Sequence, residues 1–413
     1  MFTPAGQPII TRLLDTDVYK FSMWQVLWRR HPTLDAHYRF VCRNTPTFAL
    51  AELLPDVQAQ LDALCALRFT AEELAWLAAQ PALRADFVAW LAGFQFERRH
   101  IRAWAEGPTL HVEASGPQPQ VMAFEMFVLA IVSELATRHQ CERLPEGVAP
   151  FVAEGRRRLA GKIAQLHALR AEPLPPEACP FVLIDFGLRR RLSGAWQREV
   201  VTTLRDALPG TFRGTSSAHL ARTLGLPAVG TMAHEYLQTY QALPGDLRDF
   251  QRRALADWWD EFGSTLAVAL TDVVGMAAFL ADFGPELARH YVGLRHDSGD
   301  PLVWADQALA HYARLGLEAR DKRLVFSDGL DTARAIALYR ALRTRAQLAF
   351  GIGTHLTHDT GLPPLNIVMK LIRVNGQPVA KLSDSPGKTL CDDPAFVQHL
   401  HQTFAAAAGM QPA

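Results

Sequence analysis

The chain has 413 residues, 49% hydrophobic and 20% charged, the balance of an ordinary soluble globular protein. Its length implies two domains, or one barrel with additions. Lys plus Arg and Asp plus Glu both number 42, so no basic excess points to nucleic acid, and any anion site must be built locally. In chain order, Asp17 can cap a helix running from Val18 to about Arg29. Ala36–Arg43 alternates like a strand, and Thr70–Phe94 carries Ala, Leu and Trp at helical spacing. His100–Trp104 and Thr109–Ala114 read as two strands around the turn Glu106-Gly107-Pro108.

The texture changes at Gly116-Pro117, which divides residues 1–116 from 117–413. Pro119–His139 reads as a strongly apolar helix and Val148–Arg170 as a more amphipathic one. Short apolar runs then alternate with helical stretches: Phe181–Asp185, Ala228–Thr231, Leu266–Leu270, Tyr291–Arg295, Arg323–Phe326 and Gln347–Phe350. Such alternation predicts parallel βα units, and residues 141–391 span the roughly 250 residues of a (β/α)₈ barrel. Asn366–Arg373 and Gln377–Leu382 read as a hairpin through Asn375-Gly376, and a last helix covers about Pro394–Ala405. The five cysteines are scattered without CxxC spacing, which argues against zinc or a disulfide framework and fits a reducing compartment. No signal peptide is expected, and the apolar stretch Val121–Leu135 is broken by Glu125 and Ser133, so a cytoplasmic protein is expected.

Polar residues follow almost every apolar run: Asp185, His234, Asp272, Arg295 with Asp297, Asp328, and Gly351 with Gly353. In a barrel these strand ends open on one face, where such enzymes hold their sites. Phe350-Gly351-Ile352-Gly353-Thr354 reads two ways, as a backbone phosphate cradle or as a tight strand-to-helix turn. Asp328-Gly329 could hold a ribose and a phosphate, or cap the next helix. Arg295 to Asp300, with Asp272 and Asp328, offers carboxylates for Mg²⁺ and a cation for phosphates, or an internal ion-pair cluster. Phe186 and Arg189 suit a planar acid, the ring stacking and the guanidinium gripping a carboxylate. His234 is an imidazole with Glu235 beside it.

At these residues the sequence resembles the bacterial nicotinate phosphoribosyltransferases. The resemblance runs from Leu14–Lys20 through Ile184–Gly187, Gly214–Ser216, Gly230–Glu235, Leu294–Asp300, Val325–Asp331 and Phe350–Thr354 to Val379–Lys388. Each motif is short, but their order and spacing are specific, and they cover nearly the whole chain. The resemblance implies an α/β fold: an irregular TIM-like barrel of the type II phosphoribosyltransferase kind, with an N-terminal α/β domain over 1–116, joined by C-terminal residues. The rest, 117–413, would be the barrel with its C-terminal hairpin and helix.

It also implies nicotinate and 5-phosphoribosyl 1-diphosphate as substrates of NAD salvage, with ATP as co-substrate and Mg²⁺ as cofactor. His234 would be phosphorylated, with Arg295 and Asp297 beside it as catalytic residues. Phe186 would stack on nicotinate, with Tyr19 opposite it, reaching in from a second subunit of a homodimer that shares its active site. Arg189 and Arg295 would lie near carboxylate and sugar phosphates; Gly351, Gly353 and Thr354 would hold the 5′-phosphate, beside Asp328 and Gly329. Asp272 and Asp297 are the implied Mg²⁺ ligands. Lys381, Asp384 and Lys388 would contact ATP phosphates from a loop, or form a surface charge cluster.

Thr215 and Ser216 bear on substrate choice. Relatives that use nicotinamide carry an acidic residue after the Gly-Thr pair, whereas Ser216 can donate to a carboxylate, so Ser216→Asp is expected to weaken nicotinate use. Leu188 stands where those relatives have an aromatic, and His355 and Thr357 carry no assigned role. Other readings are a nicotinamide- or quinolinate-using enzyme, a non-catalytic metabolite sensor, and a metal-dependent sugar hydrolase on the same kind of barrel. No nucleic-acid or membrane partner is expected.

Overall fold

A computed structural model describes residues 1–44, 48–385, 389 and 391–405. Two sheets organise it. The first is antiparallel, built from β1 (Asp35–Cys42), β2 (Ile101–Glu106), β3 (Thr109–Pro117), β10 (Ile367–Val374) and β11 (Gln377–Pro378), in the order β11-β10-β1-β3-β2. Alternation drives β1: Ala36, Tyr38 and Phe40 face the core while their neighbours are less buried. The pairing of β10 with β1 brings chain from beyond the barrel back onto the N-terminal sheet.

The second sheet is parallel: β4 (Leu183–Asp185), β5 (Phe212–Thr215), β6 (Val268–Leu270), β7 (Gly293–His296), β8 (Arg323–Phe326) and β9 (Gln347–Ile352), in the order β5-β4-β9-β8-β7-β6. A single parallel bridge from Thr215 to Ala228 extends it beyond β5. The result is an irregular α/β barrel. Its inner face carries small branched or short side chains, Ile184, Val268, Val325 and Ala349. They leave a cavity of about 1140 Å³ inside it.

Two sequence expectations change here. Ala228–Thr231 is not a strand; only Ala228 bridges. The true strand is Phe212–Thr215, hidden in FRGT by an arginine and a glycine that break the apolar pattern. Gly214 has φ +158, and a Cβ there would stand 2.3 Å from the Pro227 carbonyl oxygen, so glycine lets the 227–229 segment close on β5. The Thr70–Phe94 run is also two helices, Ala71–Ala78 and Ala85–Gly93, separated around Pro81. Gln118–Glu142 is long and apolar enough to cross a membrane, but 89% of its apolar window is buried inside the protein, which makes it a core helix.

Candidate active site

The segment Leu14–Lys20 fastens the N-terminal helix to the barrel rim. Asp15 takes a two-pronged ion pair from the buried Arg191, at 2.9 and 2.7 Å. The Val18 N–H donates to the Ser216 carbonyl (2.7 Å), and the Ala218 N–H to the Thr16 carbonyl (2.9 Å). Asp17 occupies the N-cap position of the helix Val18–Arg30, yet its side chain makes no cap bond. It instead accepts a 2.6 Å hydrogen bond from the Ser216 hydroxyl, and both residues line the cavity. Burial pushes the Asp17 carboxyl up to about 6, against the pull of Arg189.

Tyr19 follows directly and lines the cavity of its own chain, with Phe186 also on the wall. The bridge between Asp17 and Ser217 sets the start of the helix that carries Tyr19 against the barrel. Gly230 permits the approach, since a Cβ there would lie 3.0 Å from the Tyr19 Cβ.

Phe186 owes its position to two neighbours. Asp185, fully buried, accepts from the Gly187 N–H (2.8 Å), the Gln197 amide (2.9 Å) and the Thr215 hydroxyl (2.7 Å), which fixes the turn after β4. Gly351 leaves the space for the ring: a Cβ there would sit 2.3 Å from Phe186 Cδ2. Gly351 therefore acts by shape and does not line the cavity, whereas Gly353, Thr354 and Gly329 do. Thr215 does not line the cavity, and its hydroxyl donates to Asp185. Ser216 remains on the wall with its proton already given to Asp17. Asp328 stands between Ser327 and Gly329, outside the cavity wall.

On the same cavity, His234 opens the helix His234–Gln241. Its Nε2 lies 2.9 Å from Asp272 Oδ1 and 3.6 Å from Asp297 Oδ2. Burial, reinforced by Lys381, lowers its pKa to about 4 despite both carboxylates, so the ring is neutral at neutral pH. Assigning the ring proton to Nε2 by its bond to Asp272 leaves the lone pair on Nδ1. Asp272 Oδ2 also accepts from Lys381 Nζ (2.6 Å) and the Ser298 hydroxyl (2.5 Å). Asp297 Oδ1 accepts from Ser327 (3.0 Å), and Arg295 donates to the Met232 carbonyl (3.0 Å).

Ligand atoms of His234, Asp272 and Asp297 lie within 4.8 Å of one another, close enough for one ion. The Lys381 ammonium already neutralises this place, and both Asp272 oxygens are engaged. Among the described residues, Asp297 Oδ2 has only the looser ion pairs to His234 (3.6 Å) and Lys381 (3.8 Å), so the fit to Mg²⁺ is better at Asp297 than at Asp272. Lys381 is buried and paired, not part of a surface cluster, and Asp384 accepts from the Met276 N–H at 3.1 and 3.2 Å. Lys388 lies outside the described residues.

Sequence reasoning missed Asp17, Arg190 and Lys370, all on the cavity wall. Lys370 interrupts the apolar strand IVMKLIRV, which was the available signal. Burial, with Lys381 and Arg189 nearby, lowers it to about 8, and burial with Arg189 lowers Arg190 to about 10. Together with Arg189 and Arg295 they make a cationic wall in a chain of zero net charge.

Fold and rim define a barrel enzyme that takes a flat ring and anionic groups in one cavity. The chain matches the nicotinate phosphoribosyltransferase (NAPRTase) family over residues 181–408 and the N-terminal domain of that family over 14–133. It is 52% identical to a nicotinate phosphoribosyltransferase of Herminiimonas arsenicoxydans over 397 residues, 96% of this chain and 98% of the relative. A Chromobacterium violaceum protein of the same name is 49% identical over 405 residues, 98% of this chain and 99% of the relative. The crystal structure of the Vibrio cholerae nicotinate phosphoribosyltransferase superposes with a TM-score of 0.90 at 35% identity, covering 100% of this chain and 96% of that one. The chain belongs to the nicotinate phosphoribosyltransferase family.

Proposed function

We propose that the protein joins nicotinate to 5-phosphoribosyl 1-diphosphate, giving nicotinate mononucleotide and diphosphate, with ATP hydrolysed through phosphorylated His234. The observation that carries this reading is a neutral, buried His234 held by Asp272 on the same cavity as Phe186 and the Gly353–Thr354 turn. The pyridine nitrogen of nicotinate already has a lone pair, so the protein needs no base to create the nucleophile. Its work is to align that nitrogen with the anomeric carbon and to stabilise the departing diphosphate.

Phe186 and Tyr19 hold the ring, and Arg189 meets its carboxylate. Gly353, Thr354 and Gly329 hold the 5′-phosphate end, with Asp328 beside them and Gly351 giving Phe186 its room. Arg295, Arg190 and Lys370 face the diphosphate. Mg²⁺ would be held by Asp297, with Asp272 behind it, and would supply Lewis-acid neutralisation of the diphosphate. Lys381 and Asp384 would face the ATP phosphates. The setting is cytoplasmic and the assembly a homodimer that shares its active site.

Asp17 beside Ser216 is an acceptor that an amide N–H₂ could use, so nicotinamide is the second substrate to assay. The test is product formation from phosphoribosyl diphosphate with nicotinate, nicotinamide or quinolinate, each with and without ATP. Strong ATP stimulation with nicotinate alone is expected. His234→Ala should lose that stimulation and the coupled ATPase. Equal turnover of nicotinamide, or a His234→Ala variant that ATP still stimulates, would overturn the reading.

A further inference from the structure

Behind the cavity, three helices and a strand meet on one buried cation. Lys20 is fully buried, and its ammonium donates to the Met122 carbonyl (3.0 Å), to Glu125 Oε2 (2.6 Å) and to Glu235 Oε1. Those three acceptors use its three N–H groups. The other oxygen of Glu235 accepts from the Tyr38 hydroxyl (2.8 Å), and the other oxygen of Glu125 lies 3.9 Å from Arg189 Nη1. Each carboxylate therefore has one oxygen on Lys20 and one on a neighbour. Glu235 directly follows His234 in the first turn of its helix, and Lys20 directly follows Tyr19.

Two carboxylates thus divide one ammonium where water cannot compensate. Burial pushes both up. Lys20 and Arg189 outweigh it at Glu125, which ends below its usual range, while Glu235, with Glu125 nearby, ends above. In so enclosed a cluster, charge withdrawn from one partner is taken up by the other.

We propose that Lys20, Glu125 and Glu235 are positioning residues that couple the state of His234 to the reach of Arg189 in the cavity. The proposal rests on reading His234 as the phosphoryl acceptor. A phosphoryl group there adds negative charge beside Asp272 and Asp297 and shifts the first turn of the helix, Glu235 included. As Glu235 withdraws, Lys20 passes to Glu125. Glu125 then loosens its hold on Arg189, and the guanidinium is free for the carboxylate of the ring substrate. Phosphorylation would thereby tighten nicotinate binding.

The test uses the full chain as Glu125→Gln and Tyr38→Phe, measuring the nicotinate KM with and without ATP and acid-labile phosphate on His234. In the wild type, ATP is expected to lower KM. Glu125→Gln removes the Glu125 charge from Arg189 permanently, leaving Asp17 and Asp297 as its acidic neighbours, so its KM without ATP should fall toward the ATP value, shrinking the ATP effect about fivefold while His234 still labels. Tyr38→Phe removes one bond and little volume, and should shrink it roughly twofold. If Glu125→Gln fails to fold, Tyr38→Phe decides alone. Labelled variants that keep the wild-type ATP effect on KM overturn the coupling. A wild type that neither labels nor responds to ATP overturns the reading of His234, and the coupling with it.

Discussion

On the barrel side of the cavity, Phe186, Asp297 and the Gly353–Thr354 turn each follow the end of a parallel strand, and Arg295 lies near the end of β7. On the facing side, Asp17 and Tyr19 come from a helix start, and Lys370 from a strand of the antiparallel sheet. The first wall obeys a rule of topology: whatever follows a strand arrives at the rim. The second obeys none, because its elements reach the cavity only by packing, through the Asp17–Ser217 bridge and the β1–β10 ladder. The strand-end wall supplies much of the chemistry that a sequence can announce. The packed wall supplies a carboxylate and cations that set local charge.

Substitutions can break or sharpen that contrast. The largest effect is expected at Gly351→Ala, where a methyl would enter the Phe186 ring. Overpacking of about 1–3 kcal/mol should displace the ring and lower kcat/KM for nicotinate about 10–100-fold, with KM carrying most of it. Steady-state kinetics would measure this, and an unchanged KM would mean that Phe186 does not set the ring slot.

A smaller effect tests the packed wall. Folded Asp17 keeps its proton up to about 6, whereas an ordinary carboxyl of pKa 3.8 releases it earlier. Between those values the folded state binds the extra proton, so this group makes wild-type stability fall as pH rises through the window. Asp17→Asn has no such loss. Thermal melts of the two proteins should diverge from pH 4 to pH 6 in favour of the variant and run parallel above pH 7, at a difference of about 2–3 kcal/mol at most. A difference that stays constant from pH 4 to 7 would contradict the raised carboxyl.

The smallest effect is expected at Thr215→Val, which removes one of the three donors to buried Asp185. Denaturant unfolding should show a loss of about 1 kcal/mol, with the nicotinate KM unchanged. A KM that rises instead would return Thr215 to the substrate-binding set.

Much of the barrel was legible. Runs such as Arg323–Phe326 matched a strand to the residue, and five of the expected runs overlap strands of the parallel sheet. The sixth, Ala228–Thr231, is apolar but only bridges, whereas FRGT is polar and pairs, because Gly214 admits a neighbouring backbone that a sequence pattern cannot show. Asp297 and Phe186 directly follow strands of the parallel sheet, whereas His234 borders the cavity without a strand before it. The partners of Thr215 and Ser216 were not legible, since a hydroxyl's partner is chosen by whichever buried acceptor comes within about 3 Å, here Asp185 and Asp17.

The sequence by itself determined the alternation of strand and helix, and with it the ring of residues at the barrel rim, because side-chain periodicity and strand ends are local properties of the chain. Only the tertiary structure decided which charges share a burial site: Asp17 with Ser216, Lys20 between Glu125 and Glu235, Lys381 against Asp272, Lys370 on the cavity wall. Their protonation and reach depend on desolvation and on partners that are, in the Lys20–Glu235 pair, 215 residues away along the chain, and neither quantity is written in any local stretch of sequence.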